Sequence, residues 1–439
     1  MVEVDKILKY AHEKGAEEAE IVSERSAFTY VRFELGEPKQ AFLGKTTEYA
    51  LRVVVDRSVG FSYFTGNWED AVKEAVSLAK SREKDDRWRS FVHDTPGTSL
   101  NLYQKSVEDT SIEKVISDME KTCEATSHEK VVASNIDCQM GHSDIEVANS
   151  SGVHKKTKNS LTQVRVMCRA ADSDYGMGYS YAYSLGYDIN FYEKGEQAKE
   201  RALAQLGKQK TESGAKKVIL TPRVFSNLLV CAAIPSFLGH NVVEGRSSLH
   251  TGKEVAAEHL EIAETPSVEA PQGRSFDDEG APSKTVELIR GKCVKNFLYD
   301  NYYGETTANG IRYTRYRGRN LRDPPRPCAT SLTVKGESAP LDELISEVED
   351  GLLVVGETNS HASKPQSGLF SIAVTAGFII KNGEISAPVK RCMVSGLAFE
   401  DLLPNVIRIS HERELHKSSV YPTYVETGHV LVDSLRITA

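Results

Sequence analysis

A proline set inside an apolar helix constrains this chain more than any other feature. The stretch from Thr221 to Ser248 reads TPRVFSNLLVCAAIPSFLGHNVVEGRSS. Thr221 is an N-cap, Pro222 takes the first helical position, where no N–H is missed, and Val224, Leu228, Leu229 and Ala232 recur at three- and four-residue spacings. Pro235 has no N–H to offer the carbonyl of Cys231 and its ring crowds that turn, so a helix crossing it kinks or stops. Gly239 and His240 follow directly. Any chemistry in this segment has to be arranged around the interruption.

Around it lie 439 residues, enough for two or three domains with substantial cores. A net charge of −8 gives no general attraction for nucleic acid or anionic lipid, so a basic site must be local. The seven cysteines are scattered and form no CxxC pair. That predicts free, mostly buried thiols in a reducing compartment, against a disulfide framework or a cysteine zinc site. The N-terminal MVEVDKILKYAHEKGAEEAE carries acids throughout and no apolar core of a signal sequence, and no stretch approaches the ~20 apolar residues of a membrane span. The expectation is a soluble cytoplasmic protein that engages no membrane.

In chain order, Val4, Ile7, Leu8 and Ala11 mark an amphipathic helix, followed by strands near 18–25, 27–35, 38–45 and 48–56 and a helix capped by Asn67. The order recurs: a stripe of Ile112, Val115, Ile116 and Met119, strands near 130–138, 143–149, 153–158, 160–171 and 176–187, then a helix over 192–206. Two stacked lobes from an old duplication, or two unrelated meanders, both fit that order. KQKTESGA, at 208–215, is polar and without apolar periodicity, which makes it the linker. Beyond it a strand at 217–220 runs into the interrupted helix. Hairpins turn at Gly291-Lys292 and at Asn382-Gly383, a helix covers 341–349, and a last strand covers 429–437. The expected fold class is α+β: N-terminal helix and antiparallel-meander lobes, then a mainly antiparallel β C-terminal domain with flanking helices. The division is 1–210, with sub-lobes of about 1–95 and 100–210, and 216–439.

Three sets of residues carry chemistry. Arg274 to Gly280, RSFDDEG, puts Asp277, Asp278 and Glu279 together between strands, where an exposed loop is expected; such acids can bind a metal, act as acid and base, or receive a peptide amine. After Thr306 to Gly310, TTANG, come Arg312, Arg315, Arg317, Arg319 and Arg322, interleaved with Tyr313 and Tyr316. Arginine on phosphate with tyrosine under a base would suit single-stranded nucleic acid, and the same pairing suits an acidic or extended peptide; the acidic whole disfavours nucleic acid. His411, Glu412 and His416 spell HExxxH. On a regular helix positions five apart lie ~140° apart, so both histidines reach one ion only across a bulge. No Ser/His/Asp order, GxSxG elbow, P-loop or GxGxxG is present.

Together these blocks resemble the TldD/TldE (PmbA) family, long labelled modulators of DNA gyrase and associated with proteolysis by a two-subunit complex. The similarity rests on the interrupted helix, on Arg246-Ser247-Ser248 with Gly252-Lys253, on SFDDEG, on TTANG with Ala308 where glycine is usual, on Asn149 to Gly152, and on SGLFSIAVTAGFIIKNGEISAPVKRCMVSG. In the family's metal-bearing members the helix carries HExxxH, two zinc ligands and a water-activating glutamate. The corresponding positions here are Pro235, Ser236 and His240, and the tail LHKSSVYPTYVETGHVLV lacks the family's third, cysteine ligand. The resemblance therefore implies the metal-free TldE type of subunit, with no catalytic residue and no cofactor of its own. It implies a TldD-like partner carrying the zinc, unfolded or extended polypeptide as substrate, and a homodimer in isolation. His240, Arg246, Ser247, Ser248, Asp277, Asp278, Glu279, Asn309 and Arg312 would shape the substrate groove. The alternatives are an autonomous metallopeptidase using His411, Glu412 and His416, and a non-enzymatic regulator of nucleic acid or a topoisomerase.

Overall fold

The computed structural model describes all residues except 1, 2, 305, 315–317, 320 and 419. Its N-terminal half follows the amphipathic pattern closely. Helix α1 (Val4–Glu13) precedes strands β1 (Glu18–Glu34), β2 (Glu37–Val55) and β3 (Ser58–Phe64), and α2 (Trp68–Ser81) begins at Asn67, whose side chain accepts the N–H of Asp70. After the turn α3 (Ser106–Asp109), α4 (Ile112–Thr126), β4 (Val131–Asn149), β5 (His154–Ala171), β6 (Tyr175–Ser184) and α5 (Phe191–Leu203) repeat the helix–meander–helix order. The six strands form one antiparallel sheet, β3-β2-β1-β4-β5-β6. The two meanders are thus joined edge to edge through β1 and β4, which pair from Glu20–Asn149 to Glu34–Asn135, rather than stacked. The sheet order reads the same outward from that seam on both sides.

Four strands expected as short pairs are single long ones, because polar residues in mid-strand mimic turns. Ser23, Arg25, Thr47 and Asp144 line a cleft in the helix-covered face of the sheet, next to Val4 and Asp5 of α1. There, no apolar alternation is required. On either side of it, α1 and α2 bury Ile7, Val72 and Ala75 against Ile21, Leu51 and Val53, while Val115, Met119 and Ala198 of α4 and α5 cover Ile136, Val164 and Cys168.

The other sheet face meets the C-terminal domain. That domain opens with β7 (Gly214–Leu220) and α6 (Pro222–Leu228). β7 pairs with 350–358 and with 430–438; these, with 369–381 and 393–397, complete a closed ring of strands. A second, six-stranded sheet holds β8 (Glu261–Glu264), β9 (Val286–Arg290) and β10 (Cys293–Val294), with 331–335, 424–427 and 414–417. Pairing is antiparallel apart from the parallel contacts of β7 with 350–358, 331–335 with 424–427, and 338–339 with 406–410. Both predicted hairpin turns have positive φ at both centres, 55° and 68° at Gly291 and Lys292, and 51° and 77° at Asn382 and Gly383. Helix α6 lies in the domain core with Val224, Phe225, Leu228, Leu229 and Phe237 buried. No helix among the described residues is long and apolar enough to cross a membrane.

Candidate functional site

Pro235 interrupts its helix in stages. Regular α-helix ends at Leu228 and the next turn, Leu229–Ala233, widens to π geometry, its bond running from the N–H of Ile234 to the carbonyl of Leu229. Ile234–Phe237 then tightens to a 3₁₀ turn that accommodates the ring of Pro235 near its start. The break proper falls at Leu238, whose ψ of 126° is extended, and His240 stands on a separate short helix, Gly239–Val243. Thr221 caps α6 with its carbonyl, and its hydroxyl goes instead to the carbonyl of Val355.

Around the break the side chains engage each other. Ser236 Oγ donates to the carbonyl of Pro365 at 2.9 Å, and Ser247 Oγ donates to the carbonyl of Ser236 at 2.7 Å. The ring of His240 lies 5.9 Å from that of Tyr303, its Nδ1 is buried without a partner, and burial lowers its proton affinity. Tyr303 Oη donates to Glu244, which also pairs with the exposed Arg246. Ser248 is exposed beside the ammonium of Lys253. His240, Arg246, Ser247 and Ser248 therefore lie along one margin, beneath which Ser236 is buried.

Asp277, Asp278, Glu279, Asn309 and Arg312, expected along a groove, are inaccessible instead, at 1% exposure or less. RSFDDEG is not a solvent loop; it is the plug by which the C-terminal domain docks onto the sheet. Two charges from β1 and β2 receive it. Arg52 donates from Nε and Nη2 to the two oxygens of Glu20, at 2.9 and 2.8 Å, and from Nη2 to Glu279 Oε1 at 2.8 Å. Arg312 donates to Glu20 Oε1 at 2.9 Å, the oxygen that also takes Arg52 Nε, and to the carbonyl of Asp278 at 2.8 Å. Asp278 also accepts Arg274 and the N–H of Arg312. Asp277 accepts three backbone N–H groups, those of Glu279, Ala281 and Gly310.

The motif's glycines follow from this packing. A Cβ on Gly280, at φ 84°, would lie 2.4 Å from Val153, and one on Gly310 would lie 2.2 Å from Glu279 Oε2. Ala308 is held at φ 61°, the left-handed conformation that suits glycine at that position.

Electrostatics divide the acids. Burial pushes Glu20 upward, yet Arg52 and Arg312 overcome it and hold the carboxyl below its ordinary range. Asp277 and Asp300 are pushed up to about 7, by burial first and then by the charge of Glu279. Asp300 and Asn301 carry the network toward the helix break: Asn301 N donates to Glu279, and Tyr303 N donates to Asp300. Sequence reading missed Glu20, Arg52, Asp300 and Tyr303. The signal was present for two of them, single charges inside the apolar runs AEIV and YALRVVV, which in a strand demand a buried partner.

His411 and Glu412 are exposed in a loop, whereas His416 is buried on the strand 414–417, its ring 5.6 Å from Tyr181. Burial and Arg223 drive the proton affinity of His416 down to about 3. The three are not brought together, and no group of three His, Cys, Asp or Glu side chains able to hold a metal occurs among the described residues. Arg315, Tyr316 and Arg317 lie outside the described residues. The cysteines are free, and burial pushes Cys123, Cys138, Cys168, Cys231 and Cys392 up to about 11 or 12.

Fold and site together define an α+β protein of a two-meander antiparallel sheet and a partly closed β domain, organised round an interrupted helix. Comparison with known proteins sharpens this. The chain belongs to the PmbA/TldA metallopeptidase family, whose domain 1, central domain and C-terminal domain match residues 19–79, 105–206 and 213–439. It is 24% identical over 409 residues to an uncharacterized protein of Methanocaldococcus jannaschii, covering 91% of this chain and 93% of the relative. It is also 24% identical over 411 residues to a zinc metalloprotease TldD homolog of Saccharolobus solfataricus, covering 89% and 88%. Among solved structures, TldE from Thermococcus kodakarensis superposes with a TM-score of 0.90 at 19% identity, over 99% of this chain and 100% of that one. A candidate modulator of a DNA gyrase from Thermotoga maritima gives 0.87 at 21% identity, over 99% of each.

Proposed function

We propose that this chain is the TldE-like, metal-free subunit of a TldD/TldE-type metalloprotease complex acting on unfolded or extended polypeptide, with the zinc carried by a TldD-like partner. One observation carries the reading. At the positions corresponding to the family's metal helix, Pro235 has no donor atom, Ser236 Oγ is committed to the carbonyl of Pro365, and His240 stands beyond the break at Leu238. A catalytic zinc takes three protein ligands and leaves a position open for water, and one lone imidazole does not meet that requirement. These residues do not fit the ion, and no chemical step is assigned to them.

What remains is shape. The accessible margin of His240, Arg246, Ser247 and Ser248 would form part of the wall past which an extended chain reaches the partner's metal. The buried SFDDEG network would keep the two domains of this subunit in fixed relation. Co-expression with a TldD-like chain of the same genome, followed by affinity purification and metal analysis, tests this. The expected result is a complex that cleaves an unfolded polypeptide and contains zinc, while this chain purified alone contains none in stoichiometric amount and cleaves nothing. Chelator-sensitive cleavage by this chain alone would overturn it.

A further inference from the structure

The C-terminal domain covers only part of the sheet face that it docks on. Strand alternation puts Glu20, Val22, Tyr30 and Arg32 of β1 on that face, opposite the one that receives α1 and α2. Near Val22 it is filled by Phe276, Ala281 and Leu321. Toward the far end of β1 it opens, where Phe42 is 41% exposed and the side chain of Arg165 55%. One row there runs straight across four strands: Phe42 of β2 lies opposite Tyr30 of β1, Tyr30 opposite Gln139 of β4, and Gln139 opposite Gln163 of β5. The next row is Gln40, Arg32, Asp137 and Arg165. On β6, Tyr183 and Tyr181 continue the two rows and pack against Tyr424 and His416 of the C-terminal domain, with ring centroids 5.5 and 5.6 Å apart. The open face is therefore a trough, floored by the sheet and walled on one side.

Its chemistry is not that of an ordinary solvated sheet face, which is polar. The rings of Tyr30 and Phe42 lie 5.3 Å apart on the floor, and that of Phe28 lies 6.1 Å from Phe42. The charges are settled among themselves. Asp137 accepts Tyr30 Oη at 2.7 Å and Arg165 Nε at 3.0 Å and pairs with Arg32, which pairs in turn with Glu34. Neither arginine of the second row lacks a carboxylate, so the floor offers no free cation to a phosphate backbone. The amides are different. Gln163 Nε2 donates to Gln139 Oε1 at 2.9 Å, which leaves Gln139 Nε2 as a donor and Gln163 Oε1 as an acceptor, neither with a partner among the described residues. One donor beside one acceptor complements a peptide group, whatever side chain that residue carries. The first row spans three interstrand spacings, about 14 Å, the length of about four residues of extended chain.

We infer that the row of Phe42, Tyr30, Gln139 and Gln163 is a subsite that holds an extended polypeptide by its main chain. The glutamine pair exchanges hydrogen bonds with a peptide group, and the two rings lie under the neighbouring residues. This rests on the reading that the chain receives unfolded polypeptide, and it puts the contact on the N-terminal sheet rather than at the helix break.

The test uses the full chain alone and needs no cleavage. A reduced, carbamidomethylated polypeptide carrying a fluorophore reads binding by anisotropy. Two capped, uncharged peptides of one sequence, one of them N-methylated at alternate residues, compete with it. The unmethylated peptide should compete roughly tenfold or more better, because methylation removes main-chain donors. Gln139→Leu with Gln163→Leu should weaken binding of the labelled polypeptide by a similar factor, and Phe42→Ala should weaken it too. Leu43→Ala is the control and should change nothing, since Leu43 is the next residue on the same strand, 68% exposed on the opposite face. Circular dichroism checks the folding of each variant. Equal binding by the wild type and the Gln and Phe42 variants, equal competition by the two peptides, or no binding overturns the inference. The reading of the chain as a TldE-like subunit would then still be decided separately, by cleavage in the complex. Self-association in sedimentation, lost in the same variants, would overturn the inference in favour of a second copy of this chain, and binding of a short oligothymidylate lost in them would overturn it in favour of nucleic acid.

Discussion

Replacing Glu20 with glutamine removes one charge from the middle of the interdomain network and leaves its shape almost unchanged. The wild-type carboxylate accepts Arg52 on both oxygens and Arg312 on one. Glutamine keeps one acceptor oxygen but turns an NH₂ group toward a guanidinium that can only donate, so at least one bond becomes a donor–donor contact. Beyond the one remaining amide oxygen, the two buried cations then have only Glu279 and the carbonyl of Asp278. Removing one partner of a buried ion pair costs about 3–5 kcal/mol, a large share of the ~5–15 kcal/mol that holds a folded protein together. Urea unfolding at pH 7 reads the loss through Trp88, which is buried near the network and donates to Glu18. The pH dependence carries a sign as well. Because Glu20 is held below its ordinary range, its contribution is fully present above its unfolded value of 4.5 and fades as pH falls toward the folded value. The variant should lack that part of the acid limb. A loss under about 1 kcal/mol, the net worth of an ordinary hydrogen bond, would refute the claim that this charge joins the domains.

Three further outcomes follow from the same geometry. Asp300→Asn keeps an acceptor for Tyr303 N and removes a carboxyl whose affinity is raised from 3.8 to about 7, so the native state binds the proton more tightly and loses stability as pH climbs between those values. The variant's advantage in urea should therefore grow from pH 5 to pH 8 by about 1–2 kcal/mol, after allowing for sharing with Asp277, and level off above; a constant difference would sink the assignment. Gly310→Ala places a methyl 2.2 Å from Glu279 Oε2. It should cost about 1–3 kcal/mol in thermal or urea unfolding and speed proteolytic cleavage between the domains, whereas a neutral effect would mean the close approach is not real. Pro235→His combined with Ser236→Glu restores the letters of the metal helix but not its continuity or a third ligand; mass-spectrometric metal analysis should still find no stoichiometric zinc.

Local rules read much of this architecture directly. Asn67 caps the helix that it precedes. Gly291-Lys292 and Asn382-Gly383 turn the hairpins, and the repeated helix–meander–helix order appears in both halves of the sheet. Caps, primed turns and apolar periodicity are settled within a few residues of chain, so they survive without knowledge of the fold. Strand length did not, because Ser23 and Thr47 are polar where they line a cleft on the helix-covered face of the sheet.

The sequence alone determined that α6 could not run on as a regular helix past Pro235, since a missing N–H and a ring clash are properties of the residue itself. Only the tertiary structure decided where the break falls, at Leu238, and that the acids of SFDDEG are a buried fastening rather than an open binding loop. Whether a carboxylate meets water or a guanidinium depends on Glu20 and Arg52, strands remote in sequence that reach Glu279 only through the docking of the two domains. Charge in a chain is local, but its solvation is not.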